Sequence, residues 1–145
     1  MKRFLAVASL LAGLYVPVWS SAAELKGITT ADAIAIHEVV QSQLDALAND
    51  DAAGAFKLAT PEKRMLIGSP DNFLRLMKEQ YNPIYRHQRV IFSRPEVVDG
   101  DAIQIVRVTD SESRVWIAIF WMQQEEDSSW KIDGCQLLET TTVSI

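Results

Sequence analysis

Along the first half of the chain, apolar residues recur every three or four positions, which is the spacing of one face of an α-helix. The stripe that shows this spacing most clearly consists of Ala33, Ile36, Val40, Leu44 and Leu47. It predicts a helix that is capped by Thr29 or Thr30, carries Asp32 in its first turn and ends near Asn49. The part of the chain that follows residue 28 therefore begins with a long amphipathic helix.

Three further helices are predicted from their N-terminal signals. A short one starts at Asp50 or Asp51. Thr60-Pro61-Glu62 and Ser69-Pro70-Asp71 each place a capping hydroxyl before a proline and an acidic residue, a pattern typical of a helix start. Gly68 separates the two helices that these signals begin.

From Gln88 onward the hydrophobic period changes to two, which indicates strands. Strands are predicted over residues 88–98, 101–110, 114–124 and 129–138. Asp99-Gly100 between the first two predicts a tight hairpin, and Gly134 in the last predicts a β-bulge. Helices followed by strands indicate an α+β domain, with the helices on one face of a curved four-stranded antiparallel sheet.

The third predicted strand is unusual because both of its faces are apolar. One face carries Val115, Ile117, Ile119 and Trp121; the other carries Trp116, Ala118, Phe120 and Met122. Such a strand is either covered on both sides, or one of its faces closes a pocket or forms a dimer interface.

The N-terminus has the three-part pattern of a secretory signal peptide. Lys2 and Arg3 precede an apolar run that ends near Val18, and small residues follow it. The run is shorter than the ~20 residues that a membrane-spanning helix needs. We therefore expect residues 1–22 to be removed, by cleavage after Ala22 or equally after Ala23, and the mature protein to be periplasmic or secreted with no membrane segment.

Composition narrows the classes of partner. The 145 residues carry a formal net charge of −5, which becomes −7 when Lys2 and Arg3 are removed. This acidic balance argues against nucleic acid or an anionic membrane surface as a partner. Residues 23–145 are enough for a single domain with its own core. Cys135 is the only cysteine, so we expect no internal disulfide and interpret it as a buried structural thiol.

Candidate acid–base residues are few. His37 lies at the edge of the first helix's apolar stripe, and Asp45 lies two turns later on nearly the opposite side. Either is a possible general acid or base, although a boundary or surface role is the commoner one for such residues. The sequence holds no cluster with metal-ligand spacing, no phosphate-binding glycine loop and no nucleophile motif, so we expect no metal and no cofactor.

The junction between the helical and the β half is richer in candidates. Pro83 is expected to hold Asn82 extended and to bring Tyr81, Tyr85 and Arg86 to one region. Arg86 suits a carboxylate or phosphate ligand, but these side chains serve equally as a clamp that ties the helices to the sheet.

A fourth candidate for ligand binding lies within the second predicted strand. Arg107 either enters a pocket or covers the sheet with its aliphatic stem.

Four segments of the chain are informative together: Gln43-Leu44-Asp45-Ala46, Asp50-Asp51-Ala52-Ala53, Tyr81-Asn82-Pro83-Ile84-Tyr85-Arg86 and Trp130-Lys131-Ile132-Asp133-Gly134-Cys135-Gln136-Leu137. On these segments the chain resembles, over residues 34–138, the bacterial family named domain of unknown function 4864. The order of elements is similar to the nuclear transport factor 2-like and SnoaL-like superfamily, which implies a cone-shaped fold that encloses a pocket. That superfamily contains isomerases, cyclases, hydrolases and binding modules, so the fold does not select a function.

Three functions remain open at this point. The first is a non-catalytic exported module that binds a small molecule in the pocket or a protein partner. The second is a small acid–base enzyme of the isomerase or hydrolase kind, using His37 or Asp45 beside Tyr85 and Arg86. The third is an interaction protein that forms a homodimer through the sheet. The absence of a catalytic motif favours the first and third.

Overall fold

The computed structural model describes residues 27–140. The predicted signal peptide, residues 1–22, lies outside the described residues. Helices occupy the first half of the described chain, as predicted. They are α1 (Thr30–Ala48), α2 (Ala52–Phe56), α3 (Pro61–Ile67), α4 (Pro70–Gln80) and α5 (Asn82–Tyr85).

The predicted helix starts are confirmed by side-chain caps. The Thr29 hydroxyl accepts a hydrogen bond from the Asp32 N–H, and Asp51 caps α2 by accepting from the Gly54 N–H. Thr60 and Ser69 cap α3 and α4 in the same way. These bonds satisfy N–H groups that have no partner inside a helix, so local sequence alone determines where the helices begin.

One local prediction is wrong. Asn82 is not extended; it begins the single turn of α5, with Pro83 in that turn. A proline is tolerated there because the first N–H groups of a helix need no intrahelical acceptor.

Five strands follow within the described residues, where four were predicted. They are β1 (Arg89–Phe92), β2 (Glu96–Val98), β3 (Asp101–Thr109), β4 (Val115–Gln124) and β5 (Trp130–Glu139). The first predicted strand divides into β1 and β2, which both pair antiparallel with β3. Pro95 lies in the break, and a proline cannot donate a hydrogen bond to a sheet ladder.

The strands form an antiparallel sheet in the order β1-β3-β4-β5. The predicted hairpin turn is confirmed, since Asp99 and Gly100 have φ values of 51° and 86°. The predicted bulge is also confirmed: Trp121 pairs with Gly134 while Met122 pairs with Ile132. Asp133 is thus an extra residue in β5 that has no partner in β4.

The core lies between α1 and one face of the sheet. The α1 side chains that are fully buried there are Ile36, Val40, Leu44 and Leu47. From the sheet, Val106, Val108, Ala118 and Phe120 are fully buried. Each large aliphatic or aromatic side chain buried in this way contributes about 1.5–3 kcal/mol to stability.

The opposite face of the sheet is covered by no helix or strand of the described residues, and we call it the outer face. Alternation along the paired strands places on it Ile91, Ile103, Ile105, Arg107, Ile117, Ile119, Trp121 and Leu138. The exposed fractions of Ile91 and Leu138 are 53% and 42%. Both faces of β4 are therefore apolar, and only one of them contacts the helices.

Candidate functional site

A cavity of about 370 Å³ lies between α3, α4 and β5, and we call it the apolar cavity. Most of its lining is aliphatic, aromatic or sulfur-containing. These side chains are Ala59, Leu66, Ile67, Phe73, Leu76, Met77, Ile132 and Cys135. The cavity has the size and the lining of a small-molecule site.

Three polar side chains also line the apolar cavity. Gln43 of α1 is only 3% exposed, and its Nε2 donates to the Ala55 carbonyl at 3.2 Å. The Tyr81 hydroxyl donates to the Cys135 carbonyl over 3.4 Å, and partial burial raises the pKa of Tyr81 above its ordinary value. Lys63 of α3 is the only charged side chain among the described residues of the lining. A few polar groups in an apolar wall are what orients a bound ligand.

A second, more polar depression of about 590 Å³ adjoins the first, and we call it the polar cleft. It shares Lys63, Gly134 and Cys135 with the apolar cavity. Its carboxylates are Asp101 and Asp133. Lys63 therefore stands at the boundary between an apolar and a polar compartment.

Helix α3 forms one wall of the apolar cavity and is held at both ends. None of its residues is buried, and Met65 and Leu66 are 82% and 73% exposed. At its N-terminal end, the preceding residue Thr60 is fully buried. At its C-terminal end, Ile67 packs against the core, and its carbonyl accepts a hydrogen bond from Asn72 Nδ2 at 3.2 Å.

Thr60 fixes the N-terminal end of α3 to β5 through two hydrogen bonds and caps the helix through a third. Its N–H donates to the Ile132 carbonyl at 3.0 Å, and its hydroxyl donates to Asp133 Oδ1 at 3.0 Å. The same hydroxyl accepts from the Lys63 N–H at 3.2 Å. The bulge in β5 is what presents Asp133 to Thr60, because the extra residue is free of the sheet ladder.

Cys135 is only partly buried as a residue, yet its thiol is not set up for reaction. Burial raises the pKa of the Cys135 thiol to about 12. A thiol with such a pKa stays protonated at neutral pH, and the thiolate is the nucleophilic form. The expectation of a structural thiol agrees with this environment, although Cys135 also lines the apolar cavity.

Tyr85 and Arg86 form a cluster with Asp50, a residue that the sequence did not associate with them. The buried Tyr85 donates its hydroxyl proton to Asp50 Oδ1. Arg86 Nη2 donates to Oδ1 and Oδ2 of Asp50 at 3.0 and 2.9 Å, and its guanidinium lies 3.9 Å from the centre of the Tyr85 ring. Asp50 follows α1 with a φ of 53°, so the cluster ties the end of α1 to the helix–sheet junction.

Hydrogen bonding in this cluster shifts two pKa values in opposite directions. The bond from Tyr85, followed by that from Arg86, lowers the pKa of Asp50 below 3.8. The same bond to Asp50, with burial, raises the pKa of Tyr85 above 10.0. The Arg86 side chain already has a carboxylate partner, so this arrangement resembles a clamp more than a ligand site.

The remaining sequence candidates are not brought together. His37 is exposed on α1, and its ring packs on Phe92 with 4.1 Å between the ring centroids. Asp45 is exposed and accepts a hydrogen bond from Gln41. Arg107 lies on the outer face, opposite Ile117. Of the sequence candidates, only Tyr81 lines the apolar cavity.

Two cavity residues, Gln43 and Lys63, were missed by the sequence reasoning. Gln43 left a detectable signal, because it lies three residues after Val40 and so interrupts the apolar face of α1 with an amide. No sequence pattern distinguishes Lys63, because a lysine in the first turn of a short helix is ordinary.

In residues 27–140, no helix combines the length and the apolarity needed to cross a bilayer. The same stretch contains no group of three or more His, Cys, Asp or Glu side chains arranged to hold a metal ion.

The described residues define an α+β protein whose helices cover one face of an antiparallel sheet and leave an apolar cavity beside the last strand. The chain belongs to the family described as Domain of unknown function (DUF4864), whose profile matches residues 29–145. The resemblance noted for residues 34–138 is thereby confirmed over a longer stretch. No curated protein and no solved structure matches the chain.

Proposed function

We propose that the mature protein is a non-catalytic binding module that holds a small apolar molecule in the apolar cavity. The observation that carries this proposal is the lining: eight apolar or sulfur-containing side chains and three polar ones around about 370 Å³. Binding is favoured over acid–base catalysis because His37 and Asp45 lie on the exposed surface of α1, outside that lining.

The test uses two neighbouring residues of α3. Leu66 lines the cavity and is 73% exposed, whereas Met65 is 82% exposed and does not line it. Leu66→Trp should therefore obstruct the cavity at little cost to the fold, and Met65→Trp is the matched control. Native mass spectrometry of the mature protein should show a bound small molecule in wild type and Met65→Trp and a loss of it in Leu66→Trp. Equal occupancy in all three proteins would contradict the proposal.

We also propose that the protein is exported to the periplasm or secreted. The support is the signal-like pattern of residues 1–22. N-terminal sequencing of the protein from the extracytoplasmic fraction should find Ala23 or Glu24 first. Recovery of the chain with Met1 intact would contradict export by this route.

For the architecture, we propose that the sheet curves around the helices in the cone-like manner of the nuclear transport factor 2-like superfamily. The support is the order of elements, helices first and then an antiparallel sheet, with a cavity between the two layers. A crystal structure with a flat sheet would contradict this proposal.

A second candidate function is homodimerisation through the outer face, and the charge distribution on that face favours a second copy as the partner. Along β3, Arg107 lies near one end of the apolar stretch and Asp101 at the other, with Ile103 and Ile105 between them. Glu96 of β2 pairs with Ile103, at the acidic end. Two such faces that meet antiparallel place basic ends against acidic ends, as a two-fold interface requires.

Sedimentation equilibrium tests the dimer. Wild type should associate, Arg107→Glu should associate less, and the double variant Arg107→Glu with Glu96→Arg should recover association. A wild-type protein that remains monomeric at high micromolar concentration would exclude this interface.

A further inference from the structure

We infer that the ligand of the apolar cavity is an aliphatic carboxylate, such as a medium-chain fatty acid, with its head group at Lys63 and its chain against α4 and β5. This inference rests on the proposed binding function and specifies its ligand class. The observation that supports it is the position of Lys63 between the apolar cavity and the polar cleft.

Among the described residues, Lys63 has no ion-pair partner that would compete with a ligand. Within residues 27–140, the salt bridges join Arg86 to Asp50 and Arg114 to Asp110 and Glu112. Asp133, which lines the polar cleft beside Lys63, instead accepts the hydroxyl hydrogen bond of Thr60. The ammonium group of Lys63 is thus available to an external anion at the boundary of the cavity.

The composition of the lining selects an apolar body. Most of the described side chains in the walls belong to α3, α4 and β5, and no carboxylate is among them. The polar groups at other points of the lining are uncharged at neutral pH: the Gln43 amide and the Tyr81 phenol, whose pKa is raised. An aliphatic chain is complementary to the apolar walls, and a single negative charge is complementary to Lys63, the only cationic side chain among the described residues of the lining.

An amine head group is the competing ligand chemistry, because the polar cleft carries Asp101 and Asp133. These carboxylates line the cleft and not the apolar cavity. A ligand that fills the apolar cavity places its head group beside Lys63 first. Comparing acid, alcohol and amine of equal chain length separates the two cases.

The test is calorimetric titration of the mature protein with octanoate, 1-octanol and octylamine. Octanoate should bind about tenfold more tightly than 1-octanol, since it adds one charge-assisted contact. Octylamine should bind more weakly than 1-octanol, because it places a second positive charge beside Lys63. Lys63→Gln should abolish the preference, so that octanoate and 1-octanol bind with similar affinity, whereas Lys63→Arg should keep it. Arg75→Gln is the matched control, because it removes an exposed charge from α4 without altering the lining.

The outcomes distinguish this inference from the proposed function. If 1-octanol or octylamine binds wild type as tightly as octanoate, the carboxylate assignment is wrong while the binding function stands. Retention of the octanoate preference in a folded Lys63→Gln protein also overturns the assignment. If none of the three molecules binds wild type, the proposed binding function itself fails. The comparison of the three ligands on wild type needs no variant to fold.

Discussion

Thr60 is a buried residue that connects two parts of the molecule, α3 and β5. Its hydroxyl caps α3 and donates to Asp133 of β5, and its N–H makes a second hydrogen bond to β5. Removing the hydroxyl leaves the Lys63 N–H and one oxygen of Asp133 without a partner. The position of α3 against the apolar cavity therefore depends on this residue.

We expect Thr60→Val to lower the free energy of unfolding by about 1–3 kcal/mol, because a cap and a part-buried hydrogen bond are lost together. Trypsin should also cleave after Lys63 or Arg64 faster than in wild type, since α3 is attached less firmly. Thr60→Ser retains the hydroxyl and is the control for both measurements. Equal urea midpoints for Thr60→Val and wild type would show that the attachment lies elsewhere.

The contribution of the Asp50–Tyr85 pair to stability depends on pH. The pKa of Asp50 is below 3.8 in the folded protein, so folding favours its carboxylate. The pKa of Tyr85 is above 10.0, so folding favours its protonated phenol. The contribution of the pair is therefore full between these values; it is lost as pH falls below 3.8 or rises above 10.0.

We expect Tyr85→Phe to melt at a lower temperature than wild type at neutral pH, because Asp50 loses a donor while the buried ring is retained. The difference in melting temperature should narrow on acidification below 3.8, where the Asp50 carboxylate becomes protonated. Asp50→Asn should show the same trend, and a difference that persists unchanged to about pH 2 would contradict it.

At the residue scale, the sequence pattern indicates two of the three members of this cluster. Tyr85 and Arg86 follow one another near a proline and were foreseen as a clamp or a ligand site. Their partner Asp50 lies 35 residues earlier than Tyr85 in the chain. No local pattern reports a contact of that separation, because it depends on how α1 packs against the junction.

Among the elements, the β2–β3 hairpin depends on a backbone conformation that most residues avoid. Gly100 has a φ of 86°, and no atom lies within 4 Å of the position where a Cβ would be added. A substitution there is thus penalised by backbone strain and not by a clash. The turn connects the short β2 to the sheet, so its geometry determines whether β2 pairs with β3.

We expect Gly100→Ala to cost about 1–2 kcal/mol of stability, which is the penalty for a Cβ in the left-handed region. Gly100→Asn should cost less, because asparagine tolerates that region better. Thermal unfolding of the three proteins measures the difference. Equal losses for alanine and asparagine would mean that something other than φ limits the site.

Element boundaries were predictable where a side chain closes a hydrogen bond locally and less so elsewhere. Thr29, Asp51 and Ser69 mark helix starts that the structure confirms. The prediction of one strand over residues 88–98 continues the apolar–polar alternation through Pro95. The missing N–H of Pro95 is the signal that marks the break between β1 and β2. The turn of α5 was missed because Pro83 was interpreted as a constraint on Asn82 alone.

At the scale of the whole molecule, one face of β4 lies in the core and the other lies on the outer face, which we propose as a dimer interface. Phe120 is fully buried beneath the helices, whereas its neighbour Ile119 is half-buried on the outer face.

We expect Phe120→Ala to lower the free energy of unfolding by about 3–5 kcal/mol at any protein concentration. Ile119→Ala should cost less, and the loss should grow with protein concentration if a dimer forms. Urea unfolding at two concentrations checks both; a concentration-independent Ile119→Ala effect would argue against the dimer.

The order of layers could be predicted from the sequence, but the apolar cavity could not. Helical and alternating patterns indicate which face of each element is buried, and this fixes the α+β arrangement. The apolar cavity exists because α3 lies beside β5, where bonds from Thr60 to Ile132 and Asp133 hold its N-terminal end. Thr60 and Asp133 are 73 residues apart. Hydrophobic periodicity does not predict a contact between two polar side chains.

The bulge at Asp133 also indicates a point at which the chain can change in length by one residue. Ile132 and Gly134 already pair with consecutive residues of β4, so deleting Asp133 would join them without moving any other side chain of β5 to the opposite face. The sheet does not need this residue; helix α3 does, as the acceptor for Thr60. Insertion or loss of one residue at this point should therefore accompany replacement of the threonine at position 60. We expect family members with a regular last strand to lack the hydroxyl that attaches α3 as well.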